Sequence, residues 1–117
     1  MTVPKFRAWT EEGQVMYYDV YPFYNESLLL SYDEIAFDEV PASEFILMQS
    51  TGLKDRNGLE IFERDVVSWI DNGNLHFGVV EFTKSMFLVN GDKPISEEME
   101  VIGNIYEHPD LVEDLNA

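Results

Sequence analysis

The sequence predicts a mainly β protein, α+β at most, in which an N-terminal subdomain containing a β-hairpin precedes a small SH3-like β-barrel closed by a short C-terminal helix. Three observations carry this reading. Short runs rich in β-branched and aromatic residues recur along the chain, clusters of Asn, Asp and Gly separate them, and only the C-terminal segment has helical spacing. At 117 residues the chain fits one folded unit, with subdomains at 1–50 and 51–117. Its hydrophobic fraction of 45% supplies enough apolar surface to offset chain entropy despite the charge.

Lys5-Phe6-Arg7-Ala8-Trp9 alternates polar and apolar residues and meets the polar cluster Thr10–Gln14, which contains Gly13. Val15–Tyr21 resumes with β-branched and aromatic residues before Pro22, so the two runs are expected to form a hairpin. Residues 23–44 allow two readings: Leu28, Leu29, Leu30 and Tyr32 suit a strand, whereas Tyr32–Phe37 suits one helical turn. Pro41 and Ser43 mark a break, and Glu44–Thr51 reads as a strand closed by Gly52. In Thr51–Phe62, Asp55, Asn57 and Gly58 supply the positions of a tight reversal. Asp65–Ile70 and Leu75–Phe82 flank Asp71-Asn72-Gly73-Asn74, a second hairpin. Ser85–Val89 and Met99–Tyr106, separated by the turn region Asn90–Pro94, are expected to form a third strand pair. Short strands at this spacing suggest the SH3-like barrel. In the last segment Pro109 opens a short helix, with Leu111, Val112 and Leu115 on one face. The sequence shows neither an internal repeat nor a low-complexity segment.

The chain has no cysteine, so disulfides, thiolate metal sites and a cysteine nucleophile are excluded, in keeping with a reducing cytoplasm. Met1 leads into Thr2–Arg7 without a following apolar run, so no secretory signal is expected. The longest apolar runs, such as Phe45–Met48, are too short to span a bilayer, and the expected location is the cytoplasm. Seven basic against 23 acidic residues give a formal charge of −16, which disfavours nucleic acid and anionic membranes as direct partners. Positions 1–50 hold 9 acidic and 2 basic residues and positions 51–117 hold 14 and 5, so the halves carry −7 and −9. The acid is spread over the fold and serves as a solvated surface; a sharper alternative is a nucleic-acid mimic that occupies the DNA site of a host protein.

Leu47–Val67, with Thr51-Gly52-Leu53-Lys54-Asp55-Arg56-Asn57-Gly58 at its centre, resembles the signature block of the YopX family. Lys5–Trp9 is similar to that family's opening, and Glu100–Leu111 to its close. The resemblance implies a phage or prophage origin, an N-terminal subdomain followed by an SH3-like barrel, and self-association; it implies no activity. Arg64 departs from the pattern, which usually has glycine there, and arginine adopts a positive φ only at a cost, so the turn before Val66 is open to a different form.

No constellation points to catalysis, a cofactor or a metal. Asp55, Asn57, Glu60 and Glu63 look superficially like a calcium loop, but its glycine arrives fourth rather than sixth. Asp71, Asn72 and Asn74 read as a turn for the same reason. Strand alternation places Glu63 and Asp65 on one face and Glu60 on the other, so they read as surface charges or caps. His76 has an aromatic neighbour and reads as structural; His108 precedes Pro109 and is expected to cap the helix. None of Ser43, Ser50, Ser68, Ser85 and Ser96 lies in a nucleophile elbow, and no phosphate-binding glycine loop exists.

Aromatic residues crowd the first third of the chain. Alternation would place Tyr17, Asp19 and Tyr21 opposite Met16, Tyr18 and Val20, leaving both faces of the hairpin apolar and in need of cover. The reading is a non-enzymatic homo-oligomer whose interface holds Tyr17, Tyr18, Tyr21, Phe23 and Tyr24, with a host protein as a further possible partner. The rivals are the acidic decoy and an enzyme of unrecognised type.

Overall fold

A computed structural model describes residues 5–23, 26–31 and 35–115. The chain forms two compact units, Met1–Ser50 and Thr51–Ala117. Both are built from antiparallel strands.

The first unit contains β1 (Phe6–Thr10), β2 (Val15–Pro22), β3 (Ser27–Leu30), β4 (Asp38–Pro41), a 3-10 turn at Ala42–Glu44 and the first part of β5 (Ile46–Lys54). Its strands lie in the order β4-β3-β2-β1-β5. The β1–β2 hairpin expected from the sequence is present, and its turn is held by Gln14, whose Nε2 donates to the Glu11 carbonyl at 2.9 Å. In β3 the period of two sends Leu28 and Leu30 into a core shared with Ala8 and Val20. Tyr17, Val40, Ala42 and Phe45 pack against that core. Asp38, Glu39 and Pro41 occupy edge strand β4, where charge and a missing N–H discourage further pairing. Of the two readings of residues 23–44, the strand holds for Ser27–Leu30. Tyr32, Asp33 and Glu34 lie outside the described residues, and Ile35–Phe37 is not helical.

The second unit takes the rest of β5, then β6 (Glu60–Phe62), β7 (Asp65–Asp71), β8 (Asn74–Thr83), β9 (Met86–Val89), β10 (Lys93–Pro94), β11 (Glu100–Asn104) and α1 (Pro109–Leu115). Ile61, Val67, Val80, Val89 and Met99 form its core. Asn72 and Gly73 at φ 52° and 79° make the two-residue turn of the β7–β8 hairpin. Both central residues have positive φ, the geometry that matches strand twist. Lys84-Ser85 and Asn90-Gly91 repeat that pattern of signs.

Several expectations need correction. β5 does not close at Gly52 but continues to Lys54, the glycine taking φ 79° within the strand. Ser85–Val89 and Met99–Tyr106 do not pair with each other. β9 instead pairs with β8 and with the short β10 that Lys93 and Pro94 form, while β11 pairs with β7. The resulting order, β10-β9-β8-β7-β11, is that of an open sheet. Arg64 adopts φ 69° itself, so the turn keeps the conformation that glycine would favour. Its N–H donates to Val80 at 2.7 Å and its carbonyl accepts from Ile105 at 3.1 Å, contacts that hold the strained backbone in place. Among the described residues no helix is long and apolar enough to cross a membrane.

Candidate interaction surface

The β1–β2 register sets which aromatic rings face outwards. Phe6 pairs with Val20 but Ala8 with Tyr17, so β2 carries one residue more than β1 between these pairs, a β-bulge. Strict alternation therefore fails at Tyr18-Asp19. Tyr17 and Val20 both turn to the core, where Tyr17 meets Phe45 edge-on at 6.2 Å. Tyr18 and Tyr21 lie on the opposite face, 58% and 43% exposed.

That face is aromatic and accessible. Tyr21 stands edge-on to Phe37, with centroids 5.6 Å apart, and Phe23, just past the end of β2, is 44% exposed. The buried guanidinium of Arg7 lies 5.9 Å from the Tyr18 ring centroid, a cation–π contact that restrains this ring from beneath. Of the five residues expected at an interface, Tyr18, Tyr21 and Phe23 are exposed, Tyr17 is half-buried against the core, and Tyr24 lies outside the described residues. Phe37 was missed because it sits in the stretch without a clear period; its one signal was an aromatic ring flanked by short and acidic residues.

The Asp55 carboxylate accepts three backbone hydrogen bonds. Its Oδ1 accepts from the N–H groups of Asn57 and Leu59, each at 2.9 Å, and its Oδ2 from that of Val101 at 2.9 Å. Burial alone would raise its pKa. The hydrogen bonds from Val101, Leu59 and Asn57 and the charge of Arg56 outweigh that and hold it below the ordinary aspartate value. Asn57, next in the turn, donates to Glu100 at 3.3 Å. This constellation is therefore a turn fastened to β11.

Glu60, Glu63 and Asp65 do not belong to one continuous strand, because Glu63-Arg64 is a turn. Asp65 swings inward as a cap, its Oδ2 accepting the Phe62 N–H at 2.8 Å, while Glu60 and Glu63 stay half-exposed. His76 stacks on Trp69 at 5.7 Å and 17°. His108 Nδ1 accepts the Asn104 N–H at 3.1 Å, and its carbonyl accepts from Leu111 in the first turn of α1. Among the described residues no group of three or more His, Asp or Glu could hold a metal ion.

Together these features define a small antiparallel β protein with an exposed aromatic hairpin. The family described as YopX protein matches residues 5–113, and the chain belongs to the YopX family. The crystal structure of protein EF1440 from Enterococcus faecalis is similar, with a TM-score of 0.72 at 24% identity over 96% of this chain and 99% of that one. Protein yopX from Bacillus subtilis is also similar, with a TM-score of 0.63 at 22% identity over 92% and 96%. These likenesses carry the fold. No curated protein matches.

Proposed function

We propose that the protein is a non-enzymatic accessory protein of phage or prophage origin, acting in the bacterial cytoplasm, that assembles with copies of itself through its N-terminal aromatic hairpin. In this reading the second unit is the stable part, its strands bent in the manner of an SH3-like barrel, and no cofactor takes part. One observation supports the contact surface most directly: Tyr18, Tyr21 and Phe37 present accessible rings on one unit, with Phe23 close by in sequence. Aromatic rings on a sheet face bring large contact area at low entropic cost.

The test is sedimentation of the full chain from low to high micromolar concentration, with Tyr18→Ser/Tyr21→Ser as the comparison. The expected result is an oligomer whose dissociation constant rises about tenfold or more in the variant. A monodisperse monomer at high micromolar concentration overturns the proposal, as does an oligomer indifferent to both substitutions.

A further inference from the structure

Beyond self-association, the second unit holds a groove with the features of a peptide site. β11 stops pairing with β7 at Ser68, yet β7 continues to Asp71. The stretch beyond that point borders a cavity of about 460 Å³ lined by Arg56, Ile70, Leu75, Glu97, Glu98 and Glu100 among others. The two-residue turn makes Asp71 and Asn74 the closing hydrogen-bonded pair, so the next pair, Ile70 and Leu75, is not hydrogen-bonded. Antiparallel alternation thus turns the N–H and C=O of Ile70 away from β8, to the side of β7 on which the groove lies. The apolar side chains of these two residues are 67% and 58% exposed.

We infer that this groove takes an extended segment of a partner protein in which lysine or arginine alternates with apolar residues, added as a short strand against β7. Each part of the segment has a counterpart. Its backbone meets the N–H and C=O of Ile70, and its apolar side chains meet Ile70 and Leu75. Its basic side chains meet Glu97 and Glu98, which outnumber the single lining cation, Arg56. Charge also selects against the other candidate occupant: a second copy of this chain, at −16, would bring mostly like charge to an acidic rim.

The experiment titrates the full chain with a capped six-residue peptide alternating lysine and valine, followed by calorimetry and by the fluorescence of Trp69, which also lines the groove. Controls are the glutamate–valine peptide and a lysine–valine peptide N-methylated on its backbone. Binding of the lysine–valine peptide is expected to be about tenfold tighter than that of either control. Glu97→Gln/Glu98→Gln should weaken it about fivefold or more, while Glu12→Gln/Glu113→Gln, with the same change in charge outside the groove, should leave it unchanged. Equal loss in the two double variants overturns the inference, because the attraction would then be general charge. Undiminished binding of the N-methylated peptide also overturns it, since no strand would be added. Tyr18→Ser/Tyr21→Ser leaves the groove intact, so failure here is distinguishable from failure of the self-association proposal.

Discussion

Asp55 and Val101 are 46 positions apart, yet the carboxylate of one accepts the backbone N–H of the other at 2.9 Å. The same carboxylate holds the 55–59 reversal through two further N–H groups. A local turn and the strand β11 therefore share one acceptor. Removing it strands three donors at once, and Asp55→Ala is expected to destabilise the chain by about 3 kcal/mol in urea unfolding. Asp55→Asn, which keeps one acceptor oxygen, should fall between the variant and the parent. A loss within error of zero for Asp55→Ala would show that water replaces the carboxylate.

The same group predicts a pH dependence. Its folded pKa lies below the ordinary, unfolded value, so the unfolded state binds the proton more readily and acid favours unfolding. The contribution is fully present above the unfolded pKa of about 3.9 and fades as pH falls through the lower folded value. Stability measured from about pH 6 down to pH 2 should fall more steeply for the parent than for Asp55→Asn. Parallel curves would mean that other carboxylates carry the acid sensitivity.

Arg64 holds φ 69° in a turn whose backbone is fixed by Val80 and Ile105. Its side chain contributes little in return, reaching Glu81 at 3.6 Å with both groups well exposed. Arg64→Gly should therefore raise stability by about 0.5–1 kcal/mol, the relieved backbone strain exceeding the added freedom of the unfolded chain. A lower thermal midpoint in calorimetry would assign the arginine a structural role that its contacts do not reveal.

Gly78 is constrained by space rather than by φ. A Cβ there would stand 2.3 Å from Val89 Cγ1 and 2.8 Å from Asn90 Nδ2, and Asn90 Oδ1 accepts the Val79 N–H at 3.0 Å. Gly78→Ala is expected to cost about 2 kcal/mol through overpacking and displacement of Asn90. Backbone amide exchange should report it first at Val79 and Asn90; unchanged protection at both would refute the account.

Much of this architecture is legible in local chemistry. Asn72-Gly73 and Asp55–Gly58 mark reversals because their residue types lower the cost of the required backbone angles, and Pro109 opens the terminal helix for a similar reason. What escaped depends on which strand or backbone group a residue pairs with, not on the residue's own surroundings in sequence. The bulge at Tyr18-Asp19 is invisible in β2 alone, since only the pairing with β1 reveals the extra residue, and it moved Tyr17 from the expected surface to the core. β9 has the composition of a strand but nothing in it names β8 as its neighbour. Asp55 advertises a turn through Asn57 and Gly58, whereas its bond to Val101 has no local signal. The groove beside Ile70 arises where one ladder ends before another, a mismatch of strand lengths that periodicity does not record.

The passage from one unit to the other lies inside β5, between Ser50 and Thr51, so the junction is strand and not a loop. Gln49 is still in register with Phe6 when the chain crosses, and Thr51 Oγ1 already donates to the Ile61 carbonyl at 2.7 Å. A genetic crossover between related genes at this junction would thus join half of one ladder to half of another. A one-residue slip at the join would turn every later side chain of Ile46–Lys54 to the other face of the strand.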